Sequence, residues 1–370
     1  MSNTLRKKIG QQMIIGVQGT SLSQEEKQFI LSNNIGGVVL FSRNIEDPKQ
    51  LHALCSEIQS LHHQSIDKAP LFISIDMEGG RVARLKAPFT QWPPLKNLGD
   101  IDSPSLSFKF AQAMGEELRA VGINLDFAPC TDVLTNEKNI LIGDRSLGSD
   151  PELVGRNASA IVRGYLKSDI IACTKHFPGH GNNVIDSHED LPVEDLDLDR
   201  LNDLELIPFK KSFRARCDMV MTAHMLFKNI DPDWPVTLSE KFLKGILRDI
   251  GFKKLIITDD LDMKALTNNY DKAFIPVKAL QAGANVLLYC NEADSHIQCV
   301  DSVEKAVKDG ELDEATLDYN KKLVLDVKSK RIKNPDPVDF EEATKKIGHP
   351  DHLQLSKAIR DKELPPDIAT

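Results

Sequence analysis

The sequence predicts an α/β chain folded as a (β/α)8 TIM-type barrel with appended C-terminal helices. Three observations predict it. Eight short apolar runs recur between residues 13 and 289. Segments long enough for a crossover helix separate them, and polar residues collect directly after at least five of the runs.

The runs are Met13–Val17, Gly37–Phe41, Leu71–Ile75, Ile123–Phe127, Ile170–Thr174, Met219–Thr222, Leu255–Thr258 and Asn285–Tyr289. Most are continuous rather than alternating, as parallel strands buried on both faces require. Between them, Ser105–Val121, Pro151–Lys167, Leu196–Arg216 and Ser239–Ile250 carry apolar residues at helical spacing. Ser239 stands where an N-cap belongs. Gly122 and Gly251 stand where helices end in a left-handed residue. An open doubly wound sheet would need a glycine-rich phosphate turn after an early strand, and neither a GxGxxG nor a Walker pattern is present. The catalytic barrel is expected over 1–335, with Asn334-Pro335-Asp336-Pro337 breaking the chain before a helical or partly mobile tail over 336–370.

Of the 370 residues, 41% are hydrophobic and 27% charged, enough apolar material for a large core and too much for a disordered chain. The net charge of -9 comes without a Lys/Arg-rich stripe, which excludes a nucleic-acid footprint. Met1–Gly10 lacks the apolar stretch of a secretory signal, and no run approaches the roughly 18 apolar residues of a membrane span, so a cytoplasmic location is expected. The six cysteines form no CxxC pair and no zinc-binding spacing; they are expected to be buried thiols in a reducing compartment.

Barrel active sites lie at the C-terminal ends of the strands. Here Asp76-Met77-Glu78-Gly79-Gly80-Arg81-Val82-Ala83-Arg84 follows Ile75; Pro129 and Asp132 follow Phe127; Lys175 and His176 follow Thr174; His224 follows Thr222; Asp259 and Asp260 follow Thr258. Such convergence describes a catalytic mouth better than a set of structural ion pairs. Asp259 alone is compatible with a nucleophile, a general base, a metal ligand or a structural cap. Lys175 and His176 supply donors suited to a hydroxyl-rich ligand. In Asp186-Ser187-His188 a carboxylate can orient an imidazole for acid–base work. His180, between Gly179 and Gly181, is expected to be structural.

Taken together, Asp76-Met77-Glu78-Gly79-Gly80-Arg81-Val82, Lys175-His176-Phe177-Pro178-Gly179-His180-Gly181, Asp186-Ser187-His188 and Thr258-Asp259-Asp260-Leu261 make residues 5–335 resemble glycoside hydrolase family 3, specifically its single-barrel bacterial β-N-acetylglucosaminidases. The resemblance implies that Asp259 is a nucleophile forming a covalent glycosyl–enzyme intermediate. It implies that His188 is the general acid/base with Asp186 as its partner. It implies that Asp76, Arg84, Arg145, Lys175 and His176 hold the N-acetylglucosamine ring. The expected substrate is a peptidoglycan fragment, and no metal, organic cofactor, nucleic acid or membrane partner is implied; a monomer is expected. A glycoside phosphorylase and a non-catalytic sugar-binding barrel stand as alternatives.

Overall fold

A computed structural model describes residues 2–183, 187, 189–366 and 368, with only the backbone described at 2, 3 and 293. All eight expected runs become strands: β1 (Met13–Gly16), β2 (Gly37–Leu40), β3 (Phe72–Ile75), β4 (Leu125–Asp126), β5 (Ile171–Phe177), β6 (Met219–Thr222), β7 (Leu255–Asp260) and β8 (Val286–Tyr289). Each pairs in parallel with the next in sequence, and β8 closes on β1 with Met13 opposite Leu287 and Ile14 opposite Leu288. The continuous apolar runs now have their reason. Ile14 faces the barrel interior with Val39, Phe72, Leu125, Ile171, Met219 and Ile257. Met13 and Ile15 face the helices that surround the barrel.

The helices form where the spacing places them. Pro104–Ala120 and Pro151–Lys167 start on Ser103 and Asp150, whose side chains accept N–H bonds from the first turn, and each has proline in that turn. Gly122 follows the first of these helices at φ 96°, a conformation that costs glycine nothing. The expected helices Leu196–Arg216 and Ser239–Ile250 are less regular, each carrying a π-helical turn, at Leu201–Glu205 and Lys241–Ile246. Ser239 still caps its helix, accepting the Phe242 N–H at 3.2 Å.

One helix shuts the base of the barrel. Glu314–Arg331 sends Val324 and Val327, with Ile332 just beyond it, against the interior cluster. Between them Lys328 is buried, donating to Gln11 Oε1 and the Gly36 carbonyl and lying 4.8 Å from the centre of the Phe72 ring. Beyond it, helices Phe340–Thr344 and Pro350–Arg360 pack beside Pro104–Ala120, where His352 Nδ1 meets Glu117 Oε1 at 2.9 Å. No helix among the described residues is long and apolar enough to cross a membrane.

With its base closed, the barrel opens at the C-terminal ends of its strands. Two strands depart from regular register there. The β5–β6 pairing slips between Thr174 and Phe177, and the β7–β8 pairing slips between Ile257 and Asp260. A regular strand sends successive side chains to opposite faces, whereas a local bulge re-aims them. The slips bracket Lys175-His176 and Asp259, the residues that reach into the mouth.

Candidate active site

The site is built on the turn after β3. Asp76 leaves the strand, Met77–Gly79 pairs antiparallel with Val82–Ala83, and Gly79 and Gly80 make the reversal at φ 97° and 57°. A buried carboxyl at the end of β4 fixes this turn. Asp126 accepts the Met77 N–H at 2.9 Å on one oxygen and the Tyr165 hydroxyl at 2.8 Å on the other. Burial pushes the Asp126 pKa well above the usual range despite those bonds.

Asp76 and Glu78 both meet Lys175, whose ammonium lies 2.7 Å from an oxygen of each. The Arg145 guanidinium grips Glu78 as a fork, Nε to Oε2 at 2.9 Å and Nη2 to Oε1 at 2.8 Å. Arg84 reaches Asp76 at 3.3 Å and lies over the Phe41 ring. Burial alone would disfavour the charged forms of Glu78 and Lys175. For Glu78, Arg145 and Lys175 overcome it and hold the carboxylate well below its usual range. For Lys175, Asp76 and Glu78 overcome it and raise the ammonium. The network therefore stays charged, with Lys175 2% exposed and Glu78 1% exposed.

A second group orients His176. Its Nδ1 lies 2.7 Å from Asp132 Oδ2, a carboxylate that can only accept, so the ring proton sits on Nδ1. That leaves Nε2, 3.3 Å from Arg145 Nη2, as the acceptor. Asp132 also accepts the backbone N–H groups of His176 and His180, at 3.1 and 2.7 Å, and the Cys130 thiol at 3.2 Å. Although Asp132 is fully buried, His176 and His180 hold it well below the usual carboxylate range. His180 is itself 2% exposed, and burial lowers its pKa to about 4.

Asp259 stands across the mouth on β7, partly exposed. Burial would raise its pKa, but His176, His224, the Asp260 N–H at 2.8 Å and Lys175 together lower it. The anion is its resting form. His224, after β6, holds this strand end by placing Nε2 2.9 Å from the Asp260 carbonyl, with Nδ1 2.7 Å from the Thr237 hydroxyl.

The structure thus brings Asp76, Arg84, Arg145, Lys175, His176 and Asp259 to one mouth. Asp186 and His188 lie outside the described residues. Ser187, between them, is buried and its carbonyl accepts the Ala265 N–H at 3.2 Å, while Glu189 pairs with Lys264 at 2.9 Å. Both contacts run to the segment immediately after Asp259. Gly181 is required by packing, since a Cβ there would lie 1.8 Å from the Val133 carbonyl oxygen. Glu78, Asp132 and His224 were legible as polar residues at strand ends but had no assigned role. Among the described residues, Cys130, Asp132 and His176 are the one group whose donor atoms converge closely enough to share a cation.

Known proteins resemble this chain in sequence and fold. Residues 4–327 match the glycosyl hydrolase family 3 N-terminal domain. A β-hexosaminidase from Nitrosomonas eutropha is 35% identical over 299 residues, covering 79% of this chain and 84% of that protein. The structure of a family 3 β-N-acetylglucosaminidase from Paenibacillus sp. FPU-7 superposes with a TM-score of 0.90 at 34% identity, over 97% of this chain and 68% of that one. NagZ from Neisseria gonorrhoeae, in complex with N-trifluoroacetyl-D-glucosamine, superposes at 0.76 with 30% identity, over 95% and 98% of the two chains. With its closed eightfold barrel, its charged mouth and these relatives, the chain belongs to glycosyl hydrolase family 3 and is a glycoside hydrolase with β-hexosaminidase activity.

Proposed function

We propose that this enzyme is an exo-acting, retaining β-N-acetylglucosaminidase of the NagZ-like kind. Its substrate would be N-acetylglucosaminyl-1,6-anhydro-N-acetylmuramic acid, with or without peptide, and its place the cytoplasmic recycling of cell wall. The observation that carries the chemistry is Asp259, held as an anion at a strand end beside a fixed cluster of sugar-sized polar groups. An ionised carboxylate whose pKa lies below the ordinary range is a ready nucleophile at neutral pH.

In this mechanism Asp259 attacks the anomeric carbon and the glycosidic bond breaks. His188, oriented by Asp186, gives its proton to the leaving oxygen. Water then attacks the glycosyl ester, His188 takes a proton from it, and Asp259 is freed. An imidazole here replaces the second carboxyl group that most retaining glycosidases use. Electrostatics make the exchange workable: the Asp259 anion favours a protonated imidazole nearby, and esterification removes that charge so the ring becomes a better base. The bonds from Ser187 to Ala265 and from Glu189 to Lys264 support it, because they tie the loop's described residues to the segment following the nucleophile. Asp76, Arg84, Arg145, Lys175 and His176 would hold the N-acetylglucosamine ring, the carboxylate accepting from hydroxyls and the cations donating to them. The mechanism calls for no metal or organic cofactor.

The test compares an aryl N-acetylglucosaminide with the anhydro-disaccharide. Wild-type enzyme should cleave both, releasing N-acetylglucosamine even in phosphate buffer. Appearance of the 1-phosphate would make it a phosphorylase, and failure on the anhydro-disaccharide alone would overturn the substrate class. His188→Ala should lose far more activity on the disaccharide than on the activated aryl glycoside; equal losses would refute the acid role.

A further inference from the structure

We infer that Arg81 is a positioning residue for the sugar site: it holds the loop after β4 in the place from which Arg145 grips Glu78. Among the described residues, none of its hydrogen bonds goes to Asp76, Glu78 or Lys175, so it acts through another residue. Arg81 leaves the turn after β3 directly behind Gly80. A φ of 57° and an N–H bond to the Trp92 carbonyl at 2.9 Å fix Gly80, and with it the exit of the chain. From there the side chain crosses to the neighbouring loop. Its Nε donates to Asp144 Oδ1 at 3.0 Å, and Nη2 lies 2.7, 2.5 and 3.3 Å from the carbonyl oxygens of Ile140, Leu141 and Ile142.

Three successive carbonyls reach one cation because the chain there turns as the end of a helix does. The Gly143 N–H donates to the Asn139 carbonyl at 2.9 Å, and the Arg145 N–H donates to the Ile142 carbonyl at 2.8 Å. Carbonyls at such an end make a negative pole, and the planar fork of a guanidinium meets several of them at once. Hydrophobic burial gives this tip little hold. Of its apolar side chains only Ile142 is buried, while Ile140 is 83% exposed. Polar contacts fix it from two flanks instead. Arg81 grips it from the β3 turn. On the other flank Asn139 Nδ2 donates to the His180 carbonyl at 2.7 Å and Asn136 Nδ2 to the Asn182 carbonyl at 3.0 Å.

Arg145 follows Asp144 directly, and its Nη1 shares the Leu141 carbonyl with Arg81, at 3.4 Å. A tip held from Ile140 to Asp144 therefore delivers Arg145 at a fixed height and angle. Its two-pronged bond to Glu78 needs both, because a fork loses one prong when it tilts. Without Arg81 the carbonyls and the Asp144 carboxylate lose their cation, the tip is held from the Asn139 flank alone, and Arg145 is no longer placed. The consequence for turnover rests on the sugar-binding role proposed above for Arg145; the consequence for the Arg145–Glu78 contact does not.

The first measurement is spectroscopic, on full-length protein carrying 15N-labelled arginine. The Arg145 Nε–H, identified by its loss in Arg145→Lys, should give a sharp and slowly exchanging signal in the wild type, because it donates to a buried carboxylate. In Arg81→Met that proton should exchange at least about tenfold faster. The Arg81 side chain is 47% exposed, so the variant keeps the core intact. Arg81→Lys keeps the charge but cannot span Asp144 and the carbonyls, and should show the same change at smaller size. An Arg145 signal unchanged in both variants would overturn the proposal. Kinetics on an aryl N-acetylglucosaminide are the second measurement. Arg81→Met should raise KM about 5- to 30-fold and change kcat by less than about threefold. A fall in kcat at wild-type KM would overturn the assignment. In an Arg145→Met background the same substitution should raise KM by less than about twofold, because the residue it places is gone; an undiminished effect there would show that Arg81 acts by another route and overturn it. Faster exchange of the Arg145 proton with KM unchanged would instead overturn the sugar-binding role of Arg145 and leave its placement by Arg81 standing.

Discussion

Glu78→Gln isolates the ion network on which the sugar-binding proposal depends. Glu78 accepts three charge-assisted contacts: Arg145 Nε at 2.9 Å, Arg145 Nη2 at 2.8 Å and Lys175 Nζ at 2.7 Å. Two of them share Oε1. The amide keeps its oxygen there and satisfies both, which leaves its NH2 facing the Arg145 Nε–H, donor against donor. One bond and one buried negative charge are lost. Breaking a buried pair outright costs about 3–5 kcal/mol. Here Lys175 keeps Asp76 at 2.7 Å, so about 2–3 kcal/mol is the expected loss. At an unfolding entropy of about 2.1 cal/mol/K per residue, that lowers Tm by about 3 °C. If the same energy is withdrawn from substrate binding, kcat/KM for the aryl glycoside falls by about 30- to 150-fold, mostly through KM. Removing a negative charge beside Lys175 leaves its field on Asp259 less compensated. The acid limb of the pH–rate profile should therefore stay in place or move to lower pH. Differential scanning calorimetry and pH-dependent kinetics read all three quantities. Unchanged Tm and kcat/KM, or an acid limb that moves upward, would refute the reasoning.

Lys328 carries a different signature. Burial lowers its pKa from 10.5 to about 7, so between those values the unfolded chain binds more protons and stability rises with pH. Urea unfolding at pH 7 and pH 9.5 should show a gain of about 2–3 kcal/mol from this group that Lys328→Met lacks; parallel changes in both proteins would contradict it. Tyr165→Phe removes the hydroxyl that meets Asp126 Oδ2 at 2.8 Å and loosens the turn carrying Asp76 and Glu78. It should cost about 1–3 kcal/mol of stability and raise KM more than it lowers kcat, and a wild-type KM would argue against that link. Asp132→Asn frees His176 to take the other tautomer; the Nδ1–H signal near the low-field end of the proton spectrum should disappear, and its persistence would assign that proton elsewhere.

The eight strands are legible because a closed parallel barrel buries both faces of every strand, so each writes a continuous apolar run. The ends are less legible. β5 and β7 continue through Lys175–Phe177 and Asp259–Asp260, where the chain still pairs but no longer reads as apolar, whereas β4 shrinks to Leu125–Asp126 from Ile123–Phe127. Two short sheets, Met77–Gly79 with Val82–Ala83 and Val193–Glu194 with Leu226–Phe227, carry too few residues to leave a pattern. In the site, residues that stand at strand ends announce themselves. Partners made by folding do not: Arg145 meets Glu78 across 67 positions, and His176 meets Asp132 across 44. Glu78 stands two residues from Asp76, a spacing that puts both on one face of an extended chain, but the ammonium they share comes from a strand almost a hundred positions away. His180 is part of a legible motif, but that its ring nitrogens find no hydrogen-bond partner among the described residues emerges only from the packing.

Covalent trapping bears most directly on the central claim that Asp259 is the nucleophile. Wild-type enzyme is incubated with a fluorinated N-acetylglucosaminide bearing a good leaving group, digested and sequenced by mass spectrometry. One label per chain, on Asp259 and absent from Asp259→Ala, is predicted. A label on Asp76, Glu78 or Asp132, or a label that survives in Asp259→Ala, would contradict it.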